Sequence, residues 1–412
     1  MKIAQISKAD SSGGGASRIA EELCFNINTT TGHMCDHILA FSKSGEFRCH
    51  EKSLYGAKER NFILKKHKQI KNKGYPEVFP FELAVFLFRN RIAPYNLFHF
   101  HDLSGAISPF TLLMLSFFKP VIWTFHDCSP FTGGCLYPFD CINYKTSCGN
   151  CPQIGLWPLD IKKDTTKLLY SLKKLVHKRS SIIPIAPSNW MADIAYSSGM
   201  LKEKPKVIYN GVDTQIFKPM QKNSVRDELG LPHDRKIILI SSGDIGDKRK
   251  GVKQSIEALL EIKDTNPFAL LIGTPSPSIT ELLNNLDHIS TGYINTPSIM
   301  AKYYASADVF LNCSTADNCP LTVLETMACG VPTIGFSIGG IPELIEHNKS
   351  GFLVPSNNTH MLIDGIRTAF TNNNALTWSR NARQRAVDNF SLDSFISNHI
   401  ELYHSLIKHK TA

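Results

Sequence analysis

Two carboxylates eight positions apart, Asp317 and Glu325, flank what reads as the start of a helix. The stretch runs Ala316-Asp317-Asn318-Cys319-Pro320-Leu321-Thr322-Val323-Leu324-Glu325-Thr326-Met327-Ala328-Cys329-Gly330. Pro320 stands where a helix can begin, because the first turn does not need its missing N–H, and Gly330 stands where one can stop. Backbone N–H groups at such a start meet an anion, while carboxylates grip neutral hydroxyls. An anion together with hydroxyls describes a sugar attached to a phosphate. A second helix start has the same character. Ser241-Ser242-Gly243-Asp244 leaves an apolar strand, and Lys248-Arg249-Lys250-Gly251 opens the following helix. A lysine beside a helix N-terminus, at the end of a parallel strand, is well placed for a phosphate. Two such starts on one sheet edge suit a diphosphate, with Glu325 for ribose hydroxyls and Asp317 for the sugar.

Other residues with chemical potential lie in the first half. Ser11-Ser12-Gly13-Gly14-Gly15 follows a buried strand and precedes a helix with Ile19, Leu23 and Ile27 on one face. That order lets a backbone approach a phosphate or a sugar closely. Two more strands end in His101-Asp102 and His126-Asp127, where the ligand crevice of an open parallel sheet lies. Cys135, Cys141, Cys148 and Cys151 read as C-x5-C-x6-C-x2-C in a loop too short for a core of its own. Such a set suggests a structural metal, most simply zinc; an iron–sulfur cluster, two disulfides or free thiols are the alternatives. Four sulfurs leave no vacant position for an open catalytic zinc.

The elements that must position these residues come from the wider pattern. A chain of 412 residues suggests two domains. No apolar run reaches the ~18 residues of a membrane span, and the first residues start directly as a strand, so a cytoplasmic protein is expected. The net charge of +9 is uneven: residues 1–213 carry 27 Lys/Arg against 17 Asp/Glu, the remainder 18 against 19. A basic first half suits an anionic membrane surface or a nucleic acid. The segment from Lys58 to Arg91, whose lysines precede a run rich in bulky aromatics (Val78 to Phe88), fits docking onto anionic lipid headgroups and equally a solvated basic helix followed by a core helix. Residues from Phe217 to Pro232 read as a linker. Beyond it, strands at Ile237–Ser241, Ala269–Ile272, Val309–Leu311, Pro332–Phe336 and Gly351–Val354 alternate with helices, which predicts a doubly wound parallel sheet. The expected domains are 1–213, containing the cysteine-rich insertion 128–152, and 214–390. A final helix over 391–412 is long enough to reach back to the first domain.

Residues 312–355 resemble the donor-binding core of retaining family 4 glycosyltransferases of the GT-B fold. The matching text is Asp317-x7-Glu325, Ala328-Cys329-Gly330-Val331-Pro332, Ile338-Gly339-Gly340-Ile341-Pro342-Glu343 and Gly351-Phe352-Leu353-Val354. The glycine loop near Gly14, the stretch Asn210-Gly211-Val212-Asp213-x3-Phe217-x-Pro219 and Arg249-Lys250-Gly251 also match. The loop from His126-Asp127 through Cys148-Gly149-x-Cys151-Pro152 resembles a subset acting in bacterial polysaccharide biosynthesis.

The resemblance implies an α/β protein with two doubly wound Rossmann-like domains facing each other across a cleft. It implies a hexosyltransferase-type enzyme that moves a sugar from a nucleotide-diphosphate donor to a glycan or lipid-linked glycan with retention, without a metal for the chemistry. Lys250 would neutralise the leaving diphosphate, Glu325 bind ribose, Asp317 the donor sugar, and His126 the sugar or acceptor. Gly14, Gly15, Gly243, Arg249, Asn318, Pro320, Leu321 and Thr322 would line the donor. The expected product is a surface lipopolysaccharide, capsule or exopolysaccharide, made at the inner membrane face with no nucleic-acid partner. Two departures stand out: Asp317 is one methylene shorter than the family's glutamate, and Asp244 occupies a position where many members carry arginine. A zinc-containing nucleic-acid-binding protein and a non-catalytic nucleotide-sugar-binding scaffold are the competing readings.

Overall fold

A computed structural model describes residues 1–42, 47–88, 92–243 and 245–411. Asp244, and Arg91 at the end of the basic and aromatic segment, lie outside the described residues. The chain divides into two compact units, Met1–Ile208 with Ile396–Ala412, and Tyr209–Phe395.

The first unit holds a parallel sheet of seven strands. They are β1 (Lys2–Ala9), β2 (Met34–Phe41), β3 (Glu51–Ser53), β4 (Leu97–Phe100), β5 (Val121–Thr124), β6 (Ile182–Ala186) and β7 (Lys206–Val207), in the order β3-β2-β1-β4-β5-β6-β7. The central strands are apolar on both faces, as a sheet covered on two sides requires. Ile3, Ile6, Leu97, Phe98, Phe100, Val121 and Ile122 are all fully buried. The strand order reverses between β1 and β4, so a crevice opens at their C-terminal ends. The glycine loop leaves β1 there, and His101 and His126 follow β4 and β5.

The second unit repeats the plan with six strands: β8 (Ile237–Ser241), β9 (Phe268–Ile272), β10 (His288–Ser290), β11 (Val309–Asn312), β12 (Thr333–Phe336) and β13 (Gly351–Val354). Their order is β10-β9-β8-β11-β12-β13, and every pairing is parallel. The reversal falls between β8 and β11, whose following loops carry Lys250 and Asp317. Both units are therefore doubly wound Rossmann-like α/β folds, the architecture of GT-B proteins.

The expected linker is corrected. Phe217 is buried in the second core, and Lys222–Leu229 is a helix of that unit. Its polar sequence hides the reason for its order: Arg226 is buried and donates to the Ser306 carbonyl (3.0 Å) and to Asp308 (2.9 Å). The last helix, Leu392–Thr411, begins in the second unit, and from Ile396 onward it clusters with the first. Among the described residues no helix is long and apolar enough to cross a membrane.

Candidate functional site

In the second unit, Pro320 precedes a helix spanning Leu321–Ala328, and Gly330 follows with φ +73°, a backbone conformation that suits glycine. Asp317 lies in the loop between β11 and this helix. Its carboxylate accepts from Lys250 Nζ at 2.7 Å. Lys250 ends a short 3-10 turn, Lys248–Lys250, capped by Asp247, whose side chain accepts from the Arg249 N–H. Two features dock this turn on the Asp317 loop. The Arg249 carbonyl accepts from the Thr315 N–H at 2.8 Å, and the Arg249 guanidinium donates to the Ala316 carbonyl at 2.8 Å. Gly251 turns at φ +65°, and a Cβ there would sit 1.9 Å from the Cys313 carbonyl oxygen. Only glycine allows this approach of backbone to backbone.

The structure thus brings Lys250 and Asp317 together, and Lys250 remains half-buried, its side chain 28% exposed. Arg249 serves chiefly to hold the loop, being bound also to the Asp247 carboxylate. Leu321 and Thr322 stand half-exposed in the first turn of the helix, while Asn318 and Pro320 are buried beneath it. Glu325 lies a turn further on and is 2% exposed. Gly243 is exposed, and nothing stands within 4 Å of a Cβ placed on it. Asn210 fastens the entry to this unit by donating to the Cys319 carbonyl at 2.9 Å. What arises is one cation and two carboxylates around a helix start at the strand-order reversal. Such a group can hold a diphosphate and its attached hydroxyls.

In the first unit, Gly14 and Gly15 open the helix Gly15–Thr30, with Gly14 at φ +107° and open space around both. His126 follows β5, and its Nε2 lies 3.0 Å from His101 Nδ1. Burial lowers the His126 pKa to about 4, although the nearby Asp102 carboxylate works in the opposite direction. Asp102 is itself paired with Lys8 at 2.8 Å. Burial pushes the Asp127 carboxyl up to about 6. Sequence reading missed the polar groups behind these histidines, notably Gln5 in β1 and Tyr403 in the last helix. A polar residue inside an apolar strand was the available signal for Gln5; Tyr403 had none.

These buried histidines make the first unit acid-sensitive. Burial lowers His37 to about 3 and His177 to about 4. Unfolded histidines take protons from about pH 6.5 downward, while the folded ones resist until about pH 4. Stability is therefore full above pH 6.5 and falls as pH drops toward 4, each such group costing about 3 kcal/mol across the window. Asp127 opposes this, since the folded carboxyl binds its proton first, and it offsets about one histidine. We expect a net loss on the order of 5 kcal/mol between pH 7 and pH 4. Urea midpoints followed through Trp123, which stacks on His177, will check it; an unchanged midpoint contradicts the buried neutral histidines.

Cys135, Cys141, Cys148 and Cys151 line one small open pocket, together with Tyr144 and Thr166. All four are free thiols. Cys148, Gly149 and Asn150 all take positive φ, and the Gly133 N–H donates to Cys148 Sγ at 3.2 Å. Burial pushes Cys135 up to about 12 and Cys148 up to about 11, favouring protonated thiols. Among the described residues, no three His, Cys, Asp or Glu side chains are gathered closely enough to hold a metal ion. The donor set suits zinc; the spacing, as the thiols stand, does not.

Two family models match the chain, Glycosyl transferases group 1 over residues 221–385 and Glycosyltransferase Family 4 over residues 13–216. N-acetyl-alpha-D-glucosaminyl L-malate synthase of Bacillus anthracis is 26% identical over 209 residues, 49% of this chain and 54% of that protein. The chain spans about half the length of the curated relatives it matches. Anabaena HepE, solved with UDP-glucose, superposes with a TM-score of 0.67 at 18% identity, covering 98% of this chain and 100% of that one. WaaG, a glycosyltransferase involved in lipopolysaccharide biosynthesis, gives 0.67 at 15% identity, covering 97% and 99%. At these identities the two structures speak for the fold.

Proposed function

Because the chain belongs to the group 1 glycosyltransferases of family 4, we propose that it transfers a sugar, with retention, from a nucleotide-diphosphate sugar to a glycan or lipid-linked glycan of a bacterial surface polysaccharide. The observation that carries this reading is the Lys250–Asp317 pair beside the start of the Leu321–Ala328 helix. In the proposed reaction the bond from the anomeric carbon to the phosphate oxygen breaks, and charge grows on the leaving diphosphate. Lys250 and the N–H groups near Leu321 and Thr322 stabilise that charge more as it develops, which is what lowers a barrier. The acceptor hydroxyl attacks on the same face, and its proton passes to the departing phosphate oxygen. Asp317 holds the donor sugar, Glu325 the ribose, and His126 a hydroxyl of the sugar or acceptor. This scheme asks for no metal. The UDP-glucose bound to HepE and the role of WaaG in lipopolysaccharide biosynthesis support the donor and product classes. Release of nucleoside diphosphate from a panel of nucleotide sugars tests the proposal.

A peripheral station at the inner face of the cytoplasmic membrane belongs to the same proposal. Phe62, Phe117 and Phe118 are well exposed and Phe88 is 88% exposed. The helices bearing or adjoining them, Ala57–Asn72, Leu83–Phe88 and Pro109–Ser116, converge on buried Glu82, which meets His67, Ser108 and Thr111. Lysines 65, 66, 68 and 71 share the first of these helices, and Lys66 Nζ stands over the Phe62 ring. Aromatics beside lysines suit an anionic headgroup layer. The chain is expected to sediment with phosphatidylglycerol vesicles at low salt, and Phe88→Ser to weaken this. Failure to bind at low and moderate salt refutes the membrane station.

Four sulfurs on one cavity also support a structural zinc, bound once the loop draws the thiols together and they lose their protons. Cys135, Cys141, Cys148 and Cys151 would hold it. Elemental analysis of purified protein should find one zinc per chain, lost when Cys148 and Cys151 become serine. Zinc well below one per chain, or unchanged in the variant, contradicts it.

A further inference from the structure

Gln5 is a buried amide in the middle of β1, flanked by Ala4 and Ile6 in the core. It does not meet the backbone there. Its Nε2 donates to Tyr403 Oη at 2.9 Å, and its Oε1 lies 2.8 Å from His101 Nε2. His101 Nδ1 in turn lies 3.0 Å from His126 Nε2. At the other end, Tyr403 Oη is 2.7 Å from His99 Nδ1, and His99 Nε2 is 2.6 Å from Thr124 Oγ1. Six side chains from three strand regions and the last helix therefore form one hydrogen-bonded line ending at His126.

The chemistry of each atom gives that line a direction. An amide oxygen only accepts, so His101 must carry its hydrogen on Nε2. A neutral imidazole has a single N–H, so His101 Nδ1 is a lone pair and His126 Nε2 must donate to it. Neutral His126 then carries its own lone pair on Nδ1. Burial holds both histidines below their ordinary pKa, which keeps them neutral near pH 7. With Gln5 Nε2 donating to Tyr403 Oη, the Tyr403 hydroxyl can give its own hydrogen to His99 Nδ1. Turning the amide over would reverse every donor and acceptor, and His126 Nδ1 would become a donor.

We infer that Gln5 and Tyr403 are positioning residues that set the tautomer of His126, with its hydrogen on Nε2 and its lone pair on Nδ1. The inference rests on the proposed placement of His126 at the reacting sugars. The groups around the line are consistent with it: Asp102 is engaged by Lys8, His37 by Ser7, and the His399 ring stacks on His99.

The test is 15N NMR of the full chain labelled at histidine, at pH 7, with His126 assigned by its loss in His126→Gln. A pyridine-type Nδ1 and a pyrrole-type Nε2 are expected for His126. The opposite pattern overturns the inference in the native protein, with no variant needed. Gln5→Met should produce a tautomer mixture. Gln5→Glu should keep the native tautomer, since a carboxylate also only accepts from His101. An unchanged tautomer in a folded Gln5→Met chain likewise overturns the inference. Turnover separates the two layers of the argument. Gln5→Met should lower kcat about tenfold, as loss of one well-placed hydrogen bond does, with donor KM unchanged and Gln5→Glu restoring activity. Native tautomers that respond to Gln5 as described, combined with unaffected turnover, would uphold the tautomer assignment and remove His126 from the reacting site.

Discussion

Replacing Lys250 with methionine is expected to lower turnover of the nucleotide-sugar donor about 10²- to 10³-fold, while the fold survives. The size is that of removing one preorganised charge from a group that becomes more negative in the transition state. Methionine keeps much of the lysine stem, so packing changes little. The lost contact is the 2.7 Å pair with Asp317, and Asp317 is left in the loop without its cation. Because Lys250 is half-buried and screened less than a surface group, the charge cannot be replaced cheaply by salt. Steady-state release of nucleoside diphosphate measures the effect. Turnover within about threefold of the native protein, below the range expected of such a group, would remove Lys250 from the chemistry. Lys250→Arg should recover little, because a planar fork does not mimic a point charge at this distance.

The second large effect comes from a glycine that touches the same loop. Gly339 has φ +59°, and a Cβ on it would lie 1.8 Å from the Asp317 carbonyl oxygen. The next residue, Gly340, donates its N–H to that same oxygen at 3.2 Å. Gly339→Ala must therefore displace either the loop or the turn, and we expect about 2 to 4 kcal/mol of destabilisation together with loss of donor binding. Gly243→Ala makes the control, since nothing stands within 4 Å of the added carbon. Its melting temperature should match the native protein, so any loss of donor affinity there reports contact with the ligand. Equal melting temperatures for native and Gly339→Ala chains would contradict the tight approach.

How much of this was legible beforehand depends on how far apart the partners lie in the chain. Local signals carried well. The apolar runs around Ile237 and Val309 gave the strands β8 and β11, and Pro320 and Gly330 bracketed the helix that the structure shows at Leu321–Ala328. The short strands β3, β7 and β10 offer too few residues for a period to emerge. The Lys222–Leu229 helix has the composition of a linker because its order comes from Arg226 reaching Asp308, far along the chain. At the site, residue types pointed to Lys250 and Asp317 separately, but their pairing across 67 positions needed the strand-order reversal to become visible. The Gln5–Tyr403 contact spans 398 positions and could be seen only in the folded chain. The cysteine spacing suggested a metal more strongly than the thiols, as they stand, provide for one.

The central claim is that the Lys250–Asp317 site holds the diphosphate of a nucleotide sugar. Calorimetric titration of the purified chain with UDP, UDP-glucose and other nucleotide sugars addresses it most directly, with Lys250→Met and Glu325→Gln titrated alongside. The account predicts saturable binding of at least one nucleotide sugar, together with slow release of its nucleoside diphosphate, and marked weakening in both variants. Absence of binding across the panel, or binding that both variants leave unchanged, would contradict it.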